Sequence, residues 1–330
     1  MKPLKGIVIA LVAVLIWPAV PAAAGEPAPV RLMLQWTHQA QFAGYYVAAA
    51  KGFYRARGLE VEIIQGGPGL NPLDRIAGGE VDFVVSWLTS ALIRRDRGLP
   101  LVNVAQIVNR SNLAMISWKM RDGETPADLA GRRISIWEGD LRVPYAAWLK
   151  AEGVEPAAIY PQFYSVNLFL RKGVDACSAM YYNELHMIYQ AGVDADERNV
   201  FSLKDYGFDF PEDGIYCTEK TIRQRPEVVA AFREASLEGW LYAAAYQEEA
   251  LDIVMEYVTA ANVATNRTHM KWMLENILAS IVPGADGDWT FGRLDREDYE
   301  KTVKMMQEQG MLAEPVPFEA FTGGVIAHVP

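Results

Sequence analysis

Short apolar runs alternate with helical patterns from Val30 onward. Val30–Gln35, Val81–Val85 and Leu101–Ile107 read as buried strands, and Leu59–Gln65 as a half-buried one, with Val61 and Ile63 on one face and Glu60 and Glu62 on the other. Helical patterns over Gln41–Tyr54 and Thr89–Gly98 fill two of the gaps. A third helix opens at Asn71-Pro72, a good N-cap followed by proline at the first helical position, and closes at Gly78-Gly79. A second series follows: strand Leu113–Ser117, helix start Thr125–Leu129, strand Arg133–Ile136, helix Val143–Ala151, strand Asp175–Met180 and helix Asn183–Ala191. Beyond Gly207 the chain turns helical, over Pro226–Tyr246, Glu248–Thr259, Thr268–Ile281 and Asp295–Gln309. The tail Glu314–Pro330, with Pro315, Pro317 and Gly323-Gly324, reads as irregular. This alternation predicts an α/β fold of two lobes, each a mainly parallel sheet flanked by helices. The expected divisions are 25–110 for the first part of lobe 1, 111–212 for lobe 2, and 213–330 for the return to lobe 1. Crossings near Asn109–Asn112 and Gly207–Gly214 would form a two-strand hinge over a ligand cleft.

The first 24 residues stand apart. Lys2 and Lys5 precede the short apolar stretch Gly6–Trp17, and Ala22-Ala23-Ala24 forms a small-residue cleavage site. The apolar stretch is too short to span a bilayer. Residues 1–24 therefore read as a signal peptide, cleaved after Ala24 to release a periplasmic chain. Cleavage shortens 330 residues to 306 and, by removing Lys2 and Lys5, takes the formal charge from −10 to −12. Such an acidic chain is a poor partner for nucleic acid, and a monomer is expected.

Aromatics collect where predicted strands end: Trp36, Trp87 beside Ser86, Trp137, and Tyr181-Tyr182. In an open α/β sheet, ligands bind beyond the carboxyl ends of the strands. Aromatics there suit a flat heteroaromatic ligand. Gln39, Gln41, Asn183 and Glu184 offer polar partners. Each has a plainer reading too: the glutamines as helix-start residues, Asn183 as an N-cap, and Glu184 as an acid in a first helical turn. None of the four strand-end loops contains Lys or Arg, which disfavours an anionic ligand. Gly66-Gly67-Pro68-Gly69 reads as a strand-to-helix turn, and Asp286-Gly287-Asp288 as a surface turn. His38, His186, His269 and His328 are scattered, and no zinc spacing or nucleophile elbow occurs. No catalytic set and no cofactor are expected. Cys177 and Cys217, assigned to different lobes, read as buried thiols.

The run Leu34-Gln-Trp-Thr-His-Gln-Ala-Gln-Phe-Ala-Gly-Tyr-Tyr-Val-Ala, with Lys51-Gly-Phe-Tyr, Gly58-Leu-Glu-Val and Gly66-Gly-Pro, resembles the opening of certain periplasmic substrate-binding proteins of ABC importers. Gly79-Glu-Val-Asp-Phe, Gly98-Leu-Pro-Leu-Val, Asp128-Leu-Ala-Gly-Arg-Arg-Ile, Tyr181-Tyr-Asn-Glu-Leu and Glu212-Asp-Gly-Ile-Tyr extend the likeness over about residues 30–310. The branch is the nitrate/sulfonate/taurine and thiamine-pyrimidine one, which also holds the fungal thiamine pyrimidine synthases. The resemblance implies the two-lobed periplasmic binding protein fold (type II), a small-molecule ligand and an ABC permease in the inner membrane as partner. A periplasmic sensor needs the same closing cleft. Pyrimidine-binding members carry Trp-Thr-Pro-Asn-x-Asn-His where this chain has Trp36-Thr37-His38-Gln39-Ala40-Gln41-Phe42. A thiamine-precursor pyrimidine heads the expected ligands. The altered run admits larger flat ligands such as a flavin, and sulfonate or taurine remains open. The synthases carry a cofactor-binding Lys and a reacting His where this chain has Ser86 and Ser90, which argues against an enzyme. Mass spectrometry of the exported chain is expected to find Gly25 as the first residue.

Overall fold

A computed structural model describes residues 26–284 and 290–323. The expected signal segment, Asp286-Gly287-Asp288 and His328 lie outside these residues. The first series comprises β1 (Ala28–Met33), α1 (Ala43–Ala50), α2 (Phe53–Ala56), β2 (Leu59–Ile64), α3 (Pro72–Ala77), β3 (Phe83–Trp87), α4 (Leu88–Asp96) and β4 (Leu101–Gln106). The second comprises β5 (Leu113–Trp118), β6 (Arg133–Trp137), α5 (Arg142–Ala151), β7 (Ala158–Gln162), α6 (Asn167–Leu170), β8 (Ala176–Met180), α7 (Glu184–Gln190) and β9 (Arg198–Ser202). The chain then runs through β10 (Asp213–Thr218), α8 (Glu219–Gln224), α9 (Pro226–Ala245), α10 (Gln247–Ala260), α11 (Arg267–Ile281), α12 (Arg296–Glu308) and α13 (Phe318–Thr322).

Two five-stranded sheets result, in the orders β2-β1-β3-β10-β4 and β7-β6-β8-β5-β9. Each is mainly parallel with one strand against the grain. β10 pairs antiparallel with β3 and β4, and β5 pairs antiparallel with β8 and β9. These are the two strands entered directly after a crossing between the sheets. Cys177 lies in β8 and Cys217 in β10, both buried.

Several elements differ from the sequence expectation. The helix expected over Gln41–Tyr54 is three pieces: a 3-10 turn at Ala40–Phe42, α1 and α2. Gly52, at φ 75°, breaks the last two apart. Thr125–Leu129 is a 3-10 turn (Pro126–Leu129) closed by a Thr125/Asp128 capping box. Trp87 and Trp137 end strands instead of opening loops. The tail expected to be irregular contains α13, whose Phe321 is buried.

Helices α1 and α9 pack backbone to backbone at glycine. A Cβ on Gly239 would stand 2.1 Å from the Gly44 carbonyl oxygen, and one on Gly44 would stand 2.3 Å from the Trp240 ring. Trp240 is fully buried, so it has no open direction in which to yield. Gly239→Ala is expected to destabilise the fold by about 1–3 kcal/mol through overpacking, seen as a lower urea midpoint at unchanged slope.

Candidate functional site

Between the carboxyl ends of the two sheets lies a cavity of about 560 Å³. From the first sheet it is lined by Gln35, Trp36, Gln39 and Gln41 after β1, by Ser86, Trp87 and Ser90 around the end of β3, and by Gly67 and Gly69 of the glycine turn with Leu70 to Leu73 leading into α3. The second sheet supplies Trp137 and Glu138 after β6, Gln162, Phe163 and Tyr164 after β7, and Met180, Tyr182, Asn183 and Glu184 after β8. The two walls meet where the Trp36 and Tyr164 rings lie 5.4 Å apart. No Lys, Arg or His lines the cavity among the described residues.

Eight of the nine residues expected at the site line this cavity: Trp36, Gln39, Gln41, Ser86, Trp87, Trp137, Asn183 and Glu184. Tyr181 does not. Its backbone N–H still donates to Asn112 O, extending the β5–β8 ladder by one residue. The alternation that brings Met180 to the cavity turns Tyr181 away and brings Tyr182 back. The Tyr181 ring stacks instead on Trp272. The glycine turn, expected only as a connection, forms part of the wall. A Cβ on Gly66 would fall 2.2 Å from Leu34 O, so only glycine lets the turn lie against β1.

The polar floor is organised by Asp213. One carboxylate oxygen accepts from Gln35 Nε2 (2.6 Å) and the other from Gln41 Nε2 (2.7 Å), and Gln41 Oε1 in turn accepts from Gln39 Nε2. Gln39 thus serves in a side-chain chain and makes no helix cap. Burial pushes Asp213 up to about 7 against these amide donors. Glu184 opens partly to the cavity but lies deep in the protein. Burial raises it to about 7, opposed by donation from Met180 N (2.8 Å), its own backbone N–H and Asn183 Nδ2 (2.9 Å). Asn183 therefore makes no side-chain helix cap; its amide turns to Glu184.

The family model described as "NMT1/THI5 like" matches residues 39–250. The chain belongs to the NMT1/THI5-like family. It is 29% identical to "Riboflavin-binding protein RibY" of Chloroflexus aurantiacus, over 92% of this chain and 91% of that protein. It is 25% identical to a "Formylaminopyrimidine-binding protein" of Halalkalibacterium halodurans, over 88% of each chain. Among solved structures it superposes on the alkanesulfonate-binding protein SsuA from Xanthomonas axonopodis pv. citri with a TM-score of 0.64, at 14% identity, over 88% of this chain and 96% of that one. That match carries the fold. Among the described residues no helix is long and apolar enough to cross a membrane.

The sequence pattern singles out neither Gln35, Phe163 and Tyr164 nor Asp213, and it marks Tyr182 only beside Tyr181 at a strand end. Phe163-Tyr164 follow an edge strand that carries no buried run, so no strand end announced them. Asp213 was visible within Glu212-Asp213-Gly214-Ile215-Tyr216, but its pairing with Gln35 and Gln41 joins residues far apart in sequence.

Three buried carboxyls bear on stability. Asp213 and Glu184 are raised to about 7 and Glu212 to about 8, all chiefly by burial. A raised acid favours folding below its unfolded value and loses that contribution as pH rises through the folded one. His38, His186 and His269 are lowered by burial, so they cost stability only below their ordinary value near 6.5. Between about pH 6.5 and 8 the carboxyls act unopposed, and the unfolding free energy is expected to fall as pH rises. Denaturant titrations across that window check this, and Asp213→Asn should flatten the slope.

Proposed function

We propose that this chain is a periplasmic solute-binding protein that captures a flat, uncharged heteroaromatic of flavin size and delivers it to an ABC permease. The carrying observation is the cavity itself. Trp36, Trp87, Trp137, Phe163, Tyr164 and Tyr182 surround amides and carboxyls, and no cation lines it among the described residues. Flat rings gain from aromatic faces, and an anionic sulfonate or nitrate would lack the cationic partner it needs. The volume of about 560 Å³ falls within the range of pockets for drug-sized ligands. A fused tricycle with a polyol tail fills such a space better than a single pyrimidine ring. The full-length likeness to a riboflavin-binding protein supports the same reading.

A thiamine-precursor aminopyrimidine is the second reading. Glu184 favours it, because a carboxylate is suited to an exocyclic amine, and the formylaminopyrimidine-binding relative points the same way. Either ligand is bound and released unchanged. Ser86 and Ser90 line the cavity where the fungal synthases carry Lys and His. Export and cleavage after Ala24 fit delivery in the periplasm.

Calorimetry of the mature chain against riboflavin, an aminopyrimidine, an alkanesulfonate and taurine tests the proposal. Riboflavin is expected to bind with quenched fluorescence, and sulfonate and taurine not at all. Trp36→Ala should weaken binding by about 1–3 kcal/mol if the indole stacks on the ring. Glu184→Gln should weaken an aminopyrimidine more than riboflavin. Tight taurine binding, insensitive to Trp36→Ala, would refute the aromatic-cage reading.

A further inference from the structure

A hydrogen-bonded chain runs from the cavity wall to a helix on the other side of the cleft. Asn183 Nδ2 donates to Glu184 Oε1 (2.9 Å), which leaves Asn183 Oδ1 as an acceptor facing His269 Nε2 (2.9 Å). That nitrogen must carry the ring proton, so His269 Nδ1 is a bare acceptor. His186 Nδ1, 2.8 Å away, then donates to it. Every direction in the chain is set once Glu184 is the terminal acceptor. The two imidazoles lie nearly parallel, at 8°, and His186 stacks in turn on Trp272.

The members come from different walls. Asn183, Glu184 and His186 belong to β8–α7 of the second sheet. His269 and Trp272 belong to α11, which packs on α10 and on the 3-10 turn after β1, in the helical layer of the first sheet. Further bonds cross at the same place, from Trp272 Nε1 to Tyr181 O (3.3 Å) and from Gln190 Nε2 to Asn266 Oδ1 (3.2 Å). Asn266 also caps α11 by accepting from the His269 backbone N–H, which holds the imidazole at the start of the helix.

We propose that His269 is a positioning residue for ligand capture: through Asn183 it aims the Glu184 carboxylate into the cavity, and it does so only while α11 and α7 are clasped. Ligand recognition by the second sheet is thereby coupled to the approach of the first. An opened cleft would leave Asn183 Oδ1 without its partner, so the amide that answers one Glu184 oxygen would no longer be pinned from behind, while Met180 N–H would still hold the other oxygen. The inference rests on the solute-binding reading, since it requires Glu184 to meet a ligand.

Two measurements test it. The first needs no ligand: long-range ¹⁵N–¹H correlation spectra of the histidine rings should show His269 as the Nε2–H tautomer, and Asn183→Ala should change its pattern. An Nδ1–H tautomer at His269 would overturn the relay. The second uses riboflavin and an aminopyrimidine as probes. His269→Leu should weaken the probe that binds wild type by about tenfold, while His269→Gln, which keeps a donor near the Nε2 position, should stay within about threefold. Glu184→Gln added to His269→Leu should cost little more than either change alone, because the two act through one chain. Additive losses, a glutamine variant as poor as the leucine one, or an unchanged affinity in His269→Leu would each overturn the proposal. Should His269→Leu fail to fold, Asn183→Ala breaks the same link from the other side and is read in its place. If neither probe binds the wild type, the ligand reading fails, and the tautomer still decides the relay.

Discussion

The carboxyl of Glu212 pins together the two segments on which the second sheet hangs. One of its oxygens accepts from the Asn112 backbone N–H (2.6 Å) and from Ser111 Oγ (3.2 Å), and the other accepts from Asn112 Nδ2 (3.1 Å). Gln106 reinforces the joint, donating to the carbonyls of Val108, Glu212 and Asp213. Ser280 at the end of α11 closes it from the side, through its hydroxyl to Asn112 Oδ1 and its carbonyl to the Asn109 N–H. A buried carboxyl is costly unless its lone pairs are matched, and here three donors from one crossing answer a residue of the other. The two crossings therefore behave as one joint.

The next residue carries that constraint into the site. Consecutive residues of an extended strand face opposite ways. Where Glu212 faces the joint, Asp213 faces the floor of the cavity and gathers Gln35 and Gln41. The same short segment thus joins the two crossings and orients the amides. On the opposite wall Glu184 is held by Met180 N–H and Asn183. Each wall contributes one buried acid with its donors already arranged, and the aromatic rings lie between them.

The character of the cavity follows from what surrounds these acids. Among the described residues, exposed lysines and arginines pair with acids on the outside, as in Arg55–Glu60, Arg133–Asp175 and Arg267–Asp252, and the buried Arg198 and Arg233 lie away from the cavity lining. Exposed pairs of this kind add little to stability, but they leave the cleft to amides, carboxyls and π faces. Such a lining presents π faces and hydrogen-bonding edges, with no Lys or Arg among the described residues that form it.

Much of this was legible along the chain. Buried runs such as Phe83–Val85 and Ala176–Met180 announce central strands, because only a strand covered on both faces tolerates continuous apolar residues. The Asn71-Pro72 cap is local chemistry and was readable as such. Strands β7 and β9 were not readable. Ala158–Gln162 is an edge strand with exposed Ile159 and Tyr160 and a proline, so it lacks any periodic burial. The aromatic positions at strand ends were visible, but the choice between Tyr181 and Tyr182 depended on how far the ladder with Asn112 continues. Sequence by itself determined the two α/β series, their crossings and the store of aromatics and amides, since these rest on local periodicity and composition. Tertiary structure alone decided the joining of Gln35 and Gln41 to Asp213, of Glu212 to Asn112, and of His269 to Asn183. Those partners lie 86 to 178 residues apart, and only the packing of sheets and helices brings their hydrogen-bonding groups within reach.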